Sequence, residues 1–182
     1  LGPSMSISRH SHGFSMIEVL VTIVLICIGV LGMVALQGRT ISYTQDAVQR
    51  NTAAILADDL LELMRADLGN VLSGGLPAAS SPYYKAIDAD FPAAPTDCSS
   101  LAALSASNRL GCWAQTVKAS LPGAEQLMSS DYHICRTLTS GACTGTGSTI
   151  EIQLAWAVKS GECLDPDSNK SDVCHYRVRV EL

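Results

Sequence analysis

Polar and apolar positions alternate with different periods along this chain, and the first stretch has almost no polar positions. From Val19 to Leu36 there is no charged side chain, and Phe14 to Leu36 carries only one, Glu18. Val, Ile and Leu dominate these 23 residues. That is long enough for a helix to cross a bilayer, which takes about 20 apolar residues. Gly29 and Gly32 lie inside it, where glycine is either merely tolerated or allows a neighbouring helix to approach closely. After Gly38 the pattern becomes amphipathic. Ile41, Val48 and Ile55 recur every seven residues, and Leu56, Leu60 and Leu63 follow at helical spacing. Gln45, Asp46, Gln49, Arg50, Asp58, Asp59 and Glu62 lie between them. The spacing predicts one helix continuing to about Leu68, with Gly69-Asn70 as its stop. Such a rod of about 55 residues would be roughly 80 Å long. Lipid would cover its first half, and the apolar stripe of its second half needs protein cover.

The remainder reads as an α+β head. Residues 69–97 are rich in Gly, Pro, Ala and Ser and predict a long surface loop. Ala102 to Leu121 predicts a short helix that Gly111 weakens and Leu121-Pro122-Gly123 ends. Ile150, Ile152, Leu154, Trp156 and Val158 alternate with smaller or polar residues, and Tyr176, Val178, Val180 and Leu182 do the same. Both runs predict strands with one buried face; Tyr132 to Thr137 is a weaker third. An antiparallel sheet laid over the amphipathic helix would bury both apolar faces. The expected organisation is therefore 1–13 as leader, 14–38 as membrane helix, 39–68 as its amphipathic continuation, and 69–182 as head.

Composition narrows the chemistry. A net charge of −5 argues against nucleic-acid binding, which needs clustered Lys and Arg. Of seven cysteines, Cys27 lies in the apolar run, and Cys98, Cys112, Cys135, Cys143, Cys163 and Cys174 lie in the head. An even set behind an export segment reads as a disulfide framework in an oxidising compartment. Zinc is the competing reading, but no C-x-x-C pair occurs. Six cysteines allow about 15 connectivities. Nearness in sequence suggests Cys98 with Cys112, Cys135 with Cys143 and Cys163 with Cys174. Cys27 reads as a small apolar residue. Asp165, Asp167 and Asn169 have the alternating oxygens of a weak calcium candidate, yet Lys170 stands where such a loop needs glycine. A solvated hairpin is the better account. No cofactor is implied, and His133 and His175 have no evident nucleophile beside them, so the chain does not read as an enzyme.

Glu18 is the residue that an ordinary membrane anchor does not need. A carboxylate at an apolar run is costly unless paired, although one at the boundary can also snorkel to water. Arg9 favours a cytoplasmic N-terminus. Cleavage after the run is poorly supported, since Val34-Ala35-Leu36-Gln37-Gly38 lacks the usual small-residue pattern. The alternative is cleavage between Gly13 and Phe14, which retains the helix.

The segment Gly13-Phe14-Ser15-Met16-Ile17-Glu18-Val19-Leu20-Val21 resembles the class III signal segment of type IV pilins and pseudopilins. With the Leu121-Pro122-Gly123 turn and the cysteine-rich strands, the chain looks most like the minor pilins called type IV pilus modification proteins, of PilV type. The resemblance implies a pilin-like fold, a long N-terminal helix packed on a C-terminal antiparallel sheet. It implies that prepilin peptidase cuts after Gly13 and methylates Phe14, and that Glu18 pairs with a neighbouring subunit's N-terminal amine. Implied partners are other minor pilins, the major pilin, the inner-membrane assembly platform and a tip adhesin. The implied location is the inner membrane with a periplasmic head, then the tip of a surface pilus serving adhesion and twitching motility. A major pilin usually has proline in the apolar helix and one C-terminal disulfide loop; this chain has neither the proline nor so few cysteines. A type II secretion pseudopilin is the second reading, and a periplasmic binding domain on a plain signal anchor the third.

Overall fold

The computed structural model describes residues 13–163, 170 and 172–182. It falls into two compact units, Leu1–Ile41 and Ser42–Leu182. Helix α1 spans Met16–Arg65. Within the first unit it contains a stretch long and apolar enough to cross a membrane. Its apolar side chains there are exposed, Phe14 and Met16 by more than four-fifths. No proline interrupts α1, so its backbone hydrogen bonds continue without a missing donor.

The second unit has one hydrophobic cluster. The later part of α1 contributes Ala53, Leu56, Ala57, Leu60, Leu61 and Met64. Around them the chain builds strands β1 (Leu72–Ser73) and β2 (Leu76–Pro77), helices α2 (Ala106–Ser120) and α3 (Ala124–Leu127), and strands β3 (His133–Arg136), β4 (Ile150–Ala157) and β5 (Val173–Val180). β3, β4 and β5 form one antiparallel sheet in that order. Ile150, Ile152, Leu154 and Trp156 of β4 are fully buried and join the α1 residues in the cluster. Full burial of each such side chain contributes about 1.5–3 kcal/mol. Two directional contacts fix the helix against its surroundings. Trp113 Nε1 donates to the Leu56 carbonyl at 2.8 Å, and the Arg50 guanidinium lies 5.5 Å from the Trp156 ring centre. The fold is thus α+β, a long helix packed on a three-stranded antiparallel sheet.

Several elements depart from the sequence expectation. α1 ends at Arg65, and a single 3-10 turn, Leu68–Asn70, follows. Within the second unit the heptad residues Val48 and Ile55 do not face the sheet; both are more than half exposed. The covered stripe is instead the Ala53–Leu56–Leu60–Met64 side, and Asp46 shares that side, 3% exposed. The segment expected as a surface loop contains the β1–β2 hairpin, with Gly74 and Gly75 at positive φ. It also buries Tyr83 and Lys85. Lys85 bridges to Ile134 through backbone bonds of 2.8 and 2.9 Å in the two directions. Its ammonium donates to the carbonyls of Ser129 and Tyr132. Burial pulls the Lys85 pKa down to about 8, partly offset by Asp88, Asp90 and Asp131. Helix α2 starts at Ala106, capped by the Ser105 hydroxyl, and Gly111 belongs inside it. A Cβ there would come within 2.8 Å of the Ala93 carbonyl oxygen, so this glycine lets the 92–93 segment lie on the helix. β4 is buried on both faces, not one. β5 begins at Val173 and ends at Val180, earlier than the alternation suggested.

The turn before α3 depends on Gly123. Its φ is +65°, and a Cβ would sit 2.6 Å from the Ala157 Cβ. The turn also docks on the sheet, where Ala157 N–H donates to the Pro122 carbonyl at 2.8 Å. Gly123→Ala combines an unfavourable backbone conformation with a clash and should cost about 2–3 kcal/mol. Chemical unfolding of the full chain in detergent, wild type against variant, measures that difference.

Candidate processing and assembly segment

Ser15 starts the helix. Its carbonyl accepts from the Glu18 amide at 3.0 Å and the Val19 amide at 3.3 Å. Glu18 therefore lies in the first turn of α1, where the unsatisfied amides and the helix dipole favour a carboxylate. The side chain is exposed, and among the described residues no cation pairs with it. Gly13 and Phe14 precede the helix outside regular structure and are exposed. Thr22 sits one turn after Glu18, but its hydroxyl donates to the Val19 carbonyl at 2.8 Å. That local bond occupies the threonine's proton. Cys27 is a free, exposed cysteine among the apolar side chains. Around Gly29 and Gly32 an added Cβ would meet no atom within 4 Å. Among the described residues the chain supplies neither a partner for Glu18 nor a surface against those glycines.

In the head the structure joins Cys98 to Cys112, Cys135 to Cys143 and Cys163 to Cys174. The first holds the 69–100 segment to α2, the second closes the loop after β3, and the third ties the start of β5 to the segment before it. His133 with Cys135 and Cys143 places three potential ligand atoms within 4.8 Å. Both sulfurs are in a disulfide, however, so they offer no thiolate to a metal. Asp165, Asp167 and Asn169 lie outside the described residues.

The two histidines mark polar clusters that sequence spacing did not reveal. His133 is 2% exposed, and its Nε2 lies 2.8 Å from Oε1 of the fully buried Glu151. The Gly141 amide donates to the same carboxylate oxygen at 2.8 Å. The other oxygen accepts no hydrogen bond among the described residues, with Arg179 Nε 3.9 Å away. This cluster lies beneath the Cys135–Cys143 loop. Burial lowers the His133 pKa below the ordinary imidazole value, and Glu151 only partly opposes it. His175 Nε2 instead lies 3.3 Å from Asp131, which Lys170 also contacts at 2.8 Å. Burial works against the Asp131 carboxylate, but Lys170, Ser130 and His175 outweigh it and hold it below the usual range. The only sequence signal for these clusters was alternation. His133, Glu151, Gln153, Arg177 and Arg179 share the sheet face opposite Ile134, Ile152 and Val178.

A family model described as the prokaryotic N-terminal methylation motif matches residues 8–34. The match contains Gly13, Phe14 and Glu18 and most of the apolar run. It indicates a type IV pilin-like prepilin, pilin or pseudopilin, processed at its N-terminus and associated with the membrane. No curated protein and no solved structure matches the chain.

The His133 environment makes stability depend on pH. The unfolded chain takes up a proton near the ordinary imidazole value of about 6.5, whereas the folded form resists it. Stability should therefore fall as pH drops through that value, until the folded His133 also protonates. His133→Gln keeps a donor for Glu151 and removes the titration. Thermal melts from pH 8 to about 5 should show a shallower loss in the variant than in the wild type.

Proposed function

We propose that this chain is a minor type IV pilin, a structural subunit that helps to initiate pilus assembly and sits at or near the pilus tip. The observation that carries the reading is Glu18, an exposed carboxylate in the first turn of an otherwise apolar helix, directly after the Gly13-Phe14 junction. Prepilin peptidase cleaves after Gly13 and methylates Phe14. The leader 1–13 is removed, 14–38 is the membrane and assembly helix, 39–68 is its amphipathic half, and 69–182 is the periplasmic head.

Within a bundle of such helices an unpaired Glu18 would cost several kcal/mol or would take up a proton. The positively charged Phe14 amine of an adjacent subunit relieves that cost when the helices are in register. The carboxylate thus favours assembly and selects the vertical stagger. A minor rather than a major subunit is favoured by the uninterrupted α1 and by three disulfides in the head. Its partners are other minor pilins, the major pilin, the assembly platform and a tip adhesin; its output is adhesion and twitching motility. The type II secretion pseudopilin shares every N-terminal feature and is the second reading.

Mass spectrometry of the purified protein should find methylated Phe14 as the mature N-terminus. An intact leader, or an N-terminus after Leu36, would exclude the processing scheme. Glu18→Ala should still insert and be cleaved but drop at least tenfold in sheared surface filaments. Normal recovery of that variant would remove Glu18 from assembly. Absence of the wild type from such filaments, with presence in a secretion complex, would favour the pseudopilin.

A further inference from the structure

The three disulfides of the head are alike in access and unlike in surroundings. Each joins a partly exposed cysteine, Cys98, Cys143 or Cys163, to a buried one, Cys112, Cys135 or Cys174. Cys98 Sγ meets a neutral oxygen, that of the Gln115 amide, at 3.8 Å. The Cys135 and Cys143 sulfurs have a His133 ring nitrogen within 4.8 Å. Cys174 differs. It is fully buried near the start of β5, and its Sγ lies 3.4 Å from Oδ1 of Asp46 on α1, a carboxylate only 3% exposed. Among the described residues neither the Cys112 nor the Cys135 sulfur has a carboxylate oxygen within hydrogen-bonding distance.

An ionised carboxylate accepts hydrogen bonds and cannot donate one, and a disulfide sulfur carries no proton. The Asp46–Cys174 contact is therefore a hydrogen bond only when Cys174 is a thiol. Nothing else takes the place of that donor. Among the described residues the Asp46 carboxylate accepts no N–H or O–H hydrogen bond. The Arg50 guanidinium stands 3.7 Å away, an ion-pair distance too long for a hydrogen bond. Arg50 is held there by the His175 carbonyl and the Trp156 ring. The closed disulfide thus keeps a buried acceptor against a sulfur that cannot satisfy it, which is costly, and opening the bond supplies the missing donor.

We propose that Cys163–Cys174 is a thiol-exchange site, opened by a protein dithiol and stabilised in its opened form by the Asp46 carboxylate. A thiolate of the dithiol attacks Cys163 Sγ, on the partly exposed side of the bond. The S–S bond breaks, and its electron pair leaves on Cys174 Sγ, which takes up a proton and hydrogen-bonds to Asp46. The dithiol's second thiolate then attacks its own first sulfur in the mixed disulfide, and Cys163 leaves and is protonated. The two protons given up by the dithiol are matched by the two taken up here, and the dithiol departs as a disulfide. Opening removes the covalent tie between β5 and the segment before it. The proposal concerns the head alone and does not depend on the pilin assignment.

Full-length protein in nanodiscs, equilibrated across ratios of reduced to oxidised dithiothreitol, tests it. Acid quenching, alkylation and peptide mapping read each bond separately. In the wild type Cys163–Cys174 should open at the lowest ratio of the three. Asp46→Asn removes the charge at similar volume and should raise the ratio needed at that bond about fivefold, leaving the other two unchanged. The sign separates this from a packing role, since a variant that only loosened the fold would make the bond easier to open. An unchanged or lowered ratio in the variant, or earlier opening of another bond in the wild type, would overturn the proposal. The wild type alone gives a second reading that does not need the variant to fold. Infrared difference spectra on opening this bond should show one S–H band shifted to lower frequency by the carboxylate, and two unshifted bands would equally overturn it.

Discussion

The burial of one helix stripe under one sheet face organises the head. Leu56, Leu60 and Met64 of α1 share a hydrophobic cluster with Ile150, Ile152, Leu154 and Trp156 of β4. Neither element is stable alone. An isolated amphipathic helix gains little in water, and a three-stranded sheet needs cover on at least one face. Once they pack, the other elements have places to attach. Trp113 of α2 bonds to a helix carbonyl at Leu56, the Pro122 carbonyl docks on Ala157, and Lys85 closes the β3 edge. The disulfides then restrain segments that carry little apolar surface of their own, which suits a chain with few aromatic residues.

The same constraint separates the chemistry of the two units. In the head, ionisable groups that leave water pair with one another, as His133 does with Glu151 and Asp131 with Lys170. In the first unit the reverse holds. Large apolar side chains stand exposed, and Glu18 has no cation beside it in the described chain. The exposed apolar side chains are unfavourable in water and are relieved by lipid, whereas the Glu18 carboxylate is comfortable in water and becomes costly among apolar helices unless a cation meets it. The N-terminal unit therefore presents apolar surface outward, whereas the head supplies its own core.

How far the sequence could be read varied with the range of the interaction. The apolar run, the helix beyond it and the three strands all follow from side-chain period, which is local. The heptad of Ile41, Val48 and Ile55 misled because helical spacing gives a stripe but not its direction. Burial in the head falls on the Ala53–Met64 side instead. Gly111 read as a helix weakness because the 92–93 backbone that lies on it is distant in sequence. Residues 69–97 read as an exposed loop because Gly and Pro are frequent there, yet Lys85 is buried by contacts with β3 and the residues before it, and Tyr83 joins the hydrophobic cluster.

The sequence by itself determined the Gly13-Phe14 pair ahead of the helix, the carboxylate four residues later, the long apolar helix and the order of helix before sheet. These depend on residue type and near-neighbour spacing, so no fold is needed to see them. Only the tertiary structure decided which helix stripe is covered and which buried charges meet. Those outcomes depend on register between strands and on the approach of segments far apart in the chain. A one-residue slip would exchange the two faces of β5, so the placement of Arg177 beside Gln153 and of Arg179 beside Glu151 is a property of the folded sheet.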